Sequence, residues 1–451
     1  MSVGTVAVET DLVEPPEERP AARWNPLTRI LFRFSFLYFG LFCVVFPQII
    51  LSLLGPLAQR LPEDLVMSYA KLPAPIVEWV GRTVFDAEAV LRTDSGSGDQ
   101  VFFFVEAFCL LVVAVVATVV WTLLDRRRTE YRRLAAWFLA FIRICLAGQM
   151  LVYGYAKLIP TQMPEPSLVA LLQPYGDFTP MAVLWSQVGA SPIYQMLLGA
   201  AEVTGGLLLL LPRTRLPGIL LSLVSMAQVW VLNMTYDVPV KLLSFHLLLA
   251  CLVLLAPEAK RLTTMLLGGS VGPSTYPRVF RDRAATYAGV AQILLAIWIS
   301  VGLVQTSIEG WNEWGPGRPK SELYGIWNVD EFTRDGQPVA PLTTDETRWR
   351  RVVFEDPEAV YYQRMDDKLV PLPAEADANA RTVTLLRDPA AGPWASFTYE
   401  RPAHDRLVLT GTLDGRPVTM SLSRLDEDSF SLRDRGFHLV QDYPRLMGGV
   451  N

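Results

Sequence analysis

Seven stretches of this sequence are long enough and apolar enough to cross a lipid bilayer as helices. Such a helix needs about 20 mostly apolar residues, because the bilayer core offers no water to the backbone amides. With approximate ends, the stretches are Phe34 to Leu54, Val101 to Leu124, Leu134 to Ile159, Pro192 to Leu211, Leu216 to Met234, Lys241 to Ala256 and Ala284 to Val304. The sequence therefore predicts a mainly α-helical, multi-pass membrane protein, in agreement with its mean hydropathy of +0.28.

The C-terminal part of the chain has a different composition. From Arg318 onward, charged residues are roughly twice as dense as before it, and the formal net charge of -5 arises there. This contrast predicts a soluble domain attached to the membrane part. No basic block is present, which argues against nucleic acid as a partner. All four cysteines lie in predicted spans, so we expect no disulfide framework in the exposed regions.

Lysine and arginine residues in the loops predict the orientation of the spans. With the N-terminus in the cytoplasm, the inner loops carry about 16 of these residues and the outer loops about 6. An odd number of spans then places the C-terminal domain outside. We therefore expect a protein of the plasma membrane, the inner membrane of a bacterium, with a cytoplasmic N-terminus and an extracytoplasmic C-terminal domain.

Five regions follow from these patterns. They are a disordered cytoplasmic tail (1–28), two spans joined by an outer loop (29–133), a four-helix unit (134–262), a basic linker with the seventh span (263–310), and a β-barrel-like domain (318–451). Within the outer loop, Pro62 to Tyr69 and Pro75 to Phe85 are predicted amphipathic helices that lie on the membrane surface or cap the bundle.

The C-terminal domain alternates polar and apolar residues with turn signals every 8 to 12 residues or so, which predicts antiparallel strands. The candidate strands are Tyr324 to Thr333, Arg348 to Glu355, Val360 to Arg364, Leu369 to Leu372, Thr382 to Leu386, Trp394 to Tyr399, Arg406 to Leu413, Pro417 to Arg424, Ser429 to Leu432 and Leu439 to Asp442. Asp335-Gly336, Asp414-Gly415 and Arg435-Gly436 are candidate hairpin turns. A small closed barrel or a sandwich is expected.

Two ionisable residues lie deep within predicted spans. Insertion of such a residue costs about 2.5–3.5 kcal/mol, so each needs a partner or a wet cavity. Arg143 in span three and Glu202 in span four fall at similar depths, which predicts an ion pair between two antiparallel helices. The alternative is that such a pair only fixes helix packing, as buried pairs often do.

A second polar set lies toward the predicted outer ends of spans three to six. Residues 143, 150, 154 and 157 share one face of span three, and Asn233 and Asp237 share one face of span five, by helical periodicity. These side chains predict a pocket open to the outer leaflet, whereas the alternative is an interfacial belt of snorkelling lysines and aromatic residues. The candidate ligand-binding residues are Arg143, Tyr153, Lys157, Glu202, Gln228, Asn233, Asp237, Lys241 and His246.

Spans three and four carry recognisable motifs. Span three closes on Gly154-Tyr155-Ala156-Lys157-Leu158-Ile159-Pro160, and span four carries Gly199-Ala200-Ala201-Glu202-Val203-Thr204-Gly205-Gly206 before a run of leucines. With these motifs, residues 134 to 262 resemble the DoxX family of small four-helix membrane proteins. The resemblance implies a compact four-helix bundle, and Lys157 and Glu202 are the positions that match best. It also implies a link to quinone-dependent oxidoreductase subunits or to thiol and oxidative-stress systems.

The first strand of the C-terminal domain carries a further motif. Gly325-Ile326-Trp327 follows the linker after the last span and resembles the Gly-x-Trp of lipocalin-like barrels. The resemblance implies an up-and-down barrel whose interior holds a small apolar ligand. A barrel filled by its own side chains, serving as a docking domain, is the alternative.

The sequence limits the redox chemistry that this chain carries by itself. A membrane haem commonly needs two histidines, and only His246 lies in a span. There is no Cys-x-x-Cys and no Gly-x-Gly-x-x-Gly, hence no metal, iron–sulfur or nicotinamide signature. We expect a quinone- or lipid-binding component of a membrane redox or envelope-stress system, with an envelope partner protein supplying the redox centre. The alternative is a non-catalytic lipid-binding or scaffold protein with an external docking barrel. Whether the chain catalyses a reaction stays open.

Overall fold

A computed structural model describes residues 23–211, 213–274, 276–277, 279–280, 282–387 and 392–442. Most of the predicted N-terminal tail, 1–28, lies outside these residues. The described helices are α1 (Pro26–Val45), α2 (Pro47–Leu51), α3 (Glu63–Ala70), α4 (Ala74–Val84), α5 (Val101–Leu124), α6 (Arg132–Leu158), α7 (Leu168–Leu172), α8 (Pro180–Gly189), α9 (Pro192–Leu210), α10 (Arg215–Thr235), α11 (Lys241–Leu255), α12 (Ala259–Leu266), α13 (Asp282–Glu313) and α14 (Ser431–Asp434).

Seven helical segments among the described residues are long and apolar enough to cross a membrane. They are α1, α5, α6, α9, α10, the run Lys241–Leu266 and α13. Each predicted apolar stretch falls largely on one of them, as expected for a multi-pass membrane protein. The two predicted amphipathic helices of the outer loop are present as α3 and α4.

The first and last of these segments differ in extent from the prediction. Helix α1 begins at Pro26, where the Asn25 side chain accepts a hydrogen bond from the Thr28 amide at 2.7 Å, and it ends at Val45 rather than Leu54. Pro47 explains the early end, because a proline disfavours the helical conformation of the residue before it. Helix α13 continues to Glu313, nine residues past the predicted end of the seventh span at Val304.

A four-helix bundle lies at the centre of the membrane part. Helix α6 packs on α9, α9 on α10, α10 on α11, and α11 returns to α6. Helix α1 packs against α5 and α6, and α13 packs against α6 and the 3-10 segment Ser52–Arg60. The most deeply packed helix is α6, which contacts α1, α2, α9, α11, α13 and the 3-10 segment Ser52–Arg60.

The C-terminal domain is a closed barrel of eight antiparallel strands. Its strands are β1 (Gly325–Arg334), β3 (Trp349–Asp356), β4 (Ala359–Arg364), β5 (Leu369–Asp377), β6 (Thr382–Leu386), β7 (Pro393–Ala403), β8 (Arg406–Leu413) and β9 (Arg416–Leu425), with a two-residue β2 (Gln337–Pro338) beside β1. Each strand pairs with the next, and β9 pairs with β1 to close the barrel.

Two predicted strands are wrong. Ser429 to Leu432 lies in a 3-10 turn and α14, and Leu439 to Asp442 is not in a strand. The physical reason is that closure between β9 and β1 leaves no open edge in the barrel for a ninth strand to join. Of the predicted hairpin turns, Asp335-Gly336 and Asp414-Gly415 are confirmed, with positive φ at both residues of each turn, whereas Arg435-Gly436 connects no strands.

The barrel interior is packed with large side chains. Trp327, Phe332, Trp349 and Phe397 are each at most 2% exposed and belong to one apolar core. This packing favours the filled barrel over the ligand-holding alternative. Ile326 and Val353 are also fully buried, but they form a separate cluster with Leu168 of α7. The barrel therefore contacts the segment between α6 and α9.

Candidate functional site

A buried ion pair joins α6 to α9. The Lys157 Nζ atom lies 2.8 Å from Glu202 Oε2, and the two residues are only 5% and 3% exposed. The Tyr153 ring, one helical turn earlier, has its centroid 5.7 Å from the same Nζ atom. A buried charge is tolerated when it is paired and hydrogen-bonded, and here each charge neutralises the other.

Glycine residues set the register that brings this pair together. A Cβ atom on Gly199 would lie 2.4 Å from the Leu158 backbone nitrogen, and one on Gly154 would lie 2.8 Å from the Val203 nitrogen. The backbones of α6 and α9 therefore approach closely because these positions have no side chain, as at small-residue contacts between membrane helices. Lys157 and Glu202 flank this contact.

The ion pair opens into a mostly apolar cavity of about 70 Å³ between α6, α8, α9, α10 and α11. Its walls are largely aliphatic and aromatic, with a smaller number of polar side chains among them. The lining residues are Tyr153, Lys157, Gln162, Met163, Leu184, Trp185, Val188, Leu198, Glu202, Met226, Gln228, Val229, Leu232, Asn233, Val238, Val240, Leu243, Ser244 and Leu247. An apolar cavity with a few placed polar groups is the usual form of a small-molecule site.

The polar groups that line the cavity differ in whether they already have a hydrogen-bond partner within the protein. Asn233 donates to Ser244 Oγ at 3.1 Å. The Tyr153 hydroxyl accepts from Gln48 Nε2 at 2.9 Å. In contrast, Gln162 Oε1 is buried and has no hydrogen-bond partner among the described residues. A ligand that donates a hydrogen bond to Gln162 would satisfy that atom.

The segment between α6 and α9, which we call the cover, lies over one side of the cavity. Met163, Leu184 and Trp185 contribute to its wall, and Trp185 Nε1 donates to the Gln162 carbonyl at 3.0 Å. The cover is itself held by the barrel, because Glu355 accepts hydrogen bonds from the amides that begin α7. The barrel thus contacts the cover, while the cover contacts the cavity.

The predicted Arg143–Glu202 ion pair is wrong. Glu202 pairs with Lys157, and Arg143 Nη2 donates instead to Gln292 Oε1 of α13 at 3.1 Å. Arg143 and Lys157 share a face of α6 but are separated by 14 positions, or about 21 Å along the axis. The glycine contacts select the register in which Glu202 meets the lysine.

Of the candidate residues, Tyr153, Lys157, Glu202, Gln228 and Asn233 line the cavity, and four others do not. Lys241 Nζ lies 2.8 Å from Asp237 Oδ1 and 3.6 Å from Asp99 Oδ2. This cluster stabilises the start of α11, since Asp99 also accepts from the Lys241 amide at 2.8 Å. Asp237 and Lys241 are therefore at the edge of the helix bundle and not in the predicted pocket.

His246 also lies away from the cavity. Its Nδ1 atom is 2.7 Å from the Leu242 carbonyl, which can only accept, so Nδ1 donates and Nε2 accepts from the Tyr38 hydroxyl at 2.7 Å. The ring stacks on Phe42 with centroids 4.1 Å apart. Both ring nitrogens of His246 therefore have hydrogen-bond partners, one on α1 and one on α11. Arg143 is the fourth candidate residue that lies outside the cavity.

Sequence reasoning missed the residues that close the cavity. Gln162, Met163, Trp185 and Val188 belong to a segment between two predicted spans that carried no motif. Thr179 followed by Pro180 is a sequence pattern typical of a helix start. In the structure the Thr179 hydroxyl accepts a hydrogen bond from the Ala182 amide at 3.2 Å, at the start of α8. Nothing in the sequence indicated which side of the bundle that helix covers.

Comparison with known proteins adds one relative. No family model matches the chain, and no solved structure matches it significantly. Over 122 residues the chain is 31% identical to the uncharacterized protein YwoB of Bacillus subtilis (strain 168), a stretch that covers 27% of this chain and 77% of YwoB. Through this segment the chain belongs to the same family as YwoB.

Proposed function

We propose that this membrane protein binds a lipophilic small molecule, such as a quinone, in the cavity beside Lys157 and Glu202. The observation that carries the proposal is a buried ion pair at the edge of an otherwise apolar cavity. Apolar walls suit the body of such a ligand, while the Lys157 ammonium can donate to a quinone oxygen. Gln162 Oε1 can accept from a hydroxyl of the reduced, quinol form. The chain's own residues would bind and orient the ligand.

The resemblance to the DoxX family supports this proposal at two residues. Lys157 and Glu202 are the positions that carried the resemblance, and they meet across the glycine contact of α6 and α9. We infer a role as a component of a redox or envelope-stress system of the bacterial inner membrane, with a partner protein supplying the redox centre. The eight-stranded barrel would then be an extracytoplasmic, lipocalin-like domain.

A second candidate function is favoured by the barrel itself. Its interior is filled by Trp327, Trp349 and neighbouring side chains, which suits a docking domain more than a carrier. In this alternative the protein is a non-catalytic lipid-binding or scaffold protein, and its barrel recruits an envelope partner.

Mass spectrometry of small molecules retained by the gently solubilised protein tests the two functions. The first predicts a quinone that is retained by the wild-type protein and lost from a folded variant with both Lys157→Met and Glu202→Leu. Retention of ordinary lipids only, at equal amounts in wild type and variant, would support the scaffold function and contradict the first.

A further inference from the structure

Gln162 has a fixed position in the cover, just beyond the end of α6. Its backbone amide donates to the Ala156 carbonyl at 3.0 Å, and its backbone carbonyl accepts from Trp185 Nε1 at 3.0 Å. The next residue, Met163, is buried and lines the cavity. Both polar groups of the Gln162 backbone are therefore held by the protein, and the side chain forms part of the cavity wall.

The side-chain oxygen of Gln162 is an acceptor without a donor. Its Oε1 atom is buried and has no hydrogen-bond partner among the residues that the structure describes. Buried polar groups in folded proteins nearly always have a partner, because an unpaired group has lost its hydration without replacement. An amide oxygen can only accept, so the missing partner is a donor. Since Gln162 lines the cavity, we expect that donor to belong to the molecule that occupies the cavity.

The buried ion pair supplies a donor to the same cavity. Lys157 Nζ donates to Glu202 Oε2 at 2.8 Å, and an ammonium group has further N–H bonds with which it can donate to a ligand oxygen. A carbonyl or ether oxygen can accept from Lys157, but it leaves Gln162 Oε1 unpaired. A hydroxyl group both donates and accepts. A ligand that carries hydroxyl groups therefore matches both residues, whereas a ligand with acceptors alone matches only the lysine.

We propose that the cavity selects a lipophilic ligand with a hydroxyl group that donates a hydrogen bond to Gln162 Oε1. The inference rests on the proposed function, because it places the ligand in the same cavity. For a quinone-type ligand, the quinol is then the form that binds more tightly, since only the reduced form carries hydroxyl protons. Water is a poor substitute at this atom, because the cavity walls are largely apolar and a buried water needs about two to four polar partners.

Two probes that differ in one hydrogen-bond donor test the proposal. They are para-pentylphenol and its methyl ether, of which both accept a hydrogen bond and only the phenol donates one. Equilibrium binding of each probe is measured with the detergent-purified full chain, after partition into empty micelles has been subtracted. We expect the wild-type protein to bind the phenol about tenfold more tightly than the ether. Equal affinities, or tighter binding of the ether, would overturn the proposal and leave the proposed function standing. No saturable binding of either probe would contradict both.

Two variants locate the acceptor. Gln162→Met removes it and keeps the length of the side chain, so the affinity ratio of the two probes should fall about tenfold. The extra methyl group of the ether is present in every comparison, so the change in the ratio reports the hydrogen bond. Gln173→Met is the matched control and should keep the wild-type ratio, because Gln173 lies in the cover, donates to the Asp177 carbonyl at 3.0 Å and does not line the cavity.

A structural role of the Gln162 side chain is tested on the ligand-free protein. The unfolding midpoint of Gln162→Met should not fall, because the lost oxygen has no partner within the described residues. A lower midpoint would show that the amide stabilises the protein itself and would overturn the proposal. An unchanged affinity ratio in Gln162→Met, or an equal fall in Gln162→Met and Gln173→Met, would overturn it too.

Discussion

The Glu355 carboxylate of strand β3 accepts a hydrogen bond from the Leu168 backbone amide at 2.9 Å, across 187 positions of sequence. Its second oxygen accepts from the Val169 amide at 3.2 Å. The Leu168 side chain is fully buried against Ile326 and Val353 of the barrel. The barrel therefore holds α7, and through α7 the segment that covers the cavity.

Removal of the Glu355 charge should loosen that cover. We expect Glu355→Gln to weaken capping of α7 by about 1 kcal/mol and to speed amide hydrogen exchange in residues 160–190. The matched control is Glu346→Gln, because the Glu346 side chain is 82% exposed and lies on the same domain. Unchanged exchange in the Glu355 variant, or equal acceleration in both variants, would show that the barrel does not hold the cover.

Removing one residue of the buried ion pair should destabilise the protein more than replacing both residues with apolar ones. Glu202→Leu leaves the Lys157 ammonium buried without an anion, so the free energy of unfolding should fall by about 3–5 kcal/mol. Adding Lys157→Met removes the stranded charge and should recover most of that loss. Thermal unfolding of the two variants measures the difference.

The exposed pair Arg82–Glu78, with side chains 63% and 32% exposed, is the control for this series. Its disruption by Glu78→Leu should change the free energy of unfolding by about 0–1 kcal/mol. If the double variant at the buried pair is no more stable than Glu202→Leu alone, the loss comes from packing and not from an unpaired charge.

The close approach of α6 and α9 should make Gly199 intolerant of a side chain. A Cβ atom there would lie 2.4 Å from the Leu158 nitrogen, so Gly199→Ala should destabilise the protein by about 1–3 kcal/mol and move Lys157 away from Glu202. Gly40→Ala in α1 is the control, since nothing lies within 4 Å of its added Cβ. The control should raise stability by about 0.5–1 kcal/mol, and equal effects of the two changes would contradict the register described above.

The orientation of the chain is tested by reporter fusions. Alkaline phosphatase fused after Asp442 should be active, because the excess of lysine and arginine in alternate loops predicts a barrel outside the cytoplasm. A fluorescent protein that folds only in the cytoplasm should stay dark at the same position. The reverse pattern would place the barrel in the cytoplasm and contradict the predicted orientation.

Much of the fold could be predicted from local patterns. Hydrophobic length located the seven apolar helices, and period-two alternation located the eight strands of the barrel, because each depends on residues close in sequence. The ends of α1 were missed although Asn25 and Pro47 carried the signal, since the apolar run continues through the break.

The candidate site was harder to predict because it depends on how helices meet. The sequence identified Lys157, Glu202 and Asn233, but periodicity alone allowed Glu202 to face either Arg143 or Lys157. The close contact of α9 with α6 at Gly199 determines that Glu202 faces Lys157, and such a contact between two helices cannot be read from either helix alone. The cover of the cavity and its hydrogen bonds to Glu355 join segments far apart in sequence, and no local pattern encodes such a contact.

Binding of a short-chain quinone to three forms of the full-length protein tests the central claim most directly. Val229 lines the cavity on α10, whereas Val224 on the same helix is 67% exposed. We predict that wild type and Val224→Phe bind one equivalent with equal affinity and that Val229→Phe, whose ring fills the cavity, binds at least about tenfold more weakly. Saturable binding that is equal in all three forms, or no binding to the wild-type protein, would contradict the account.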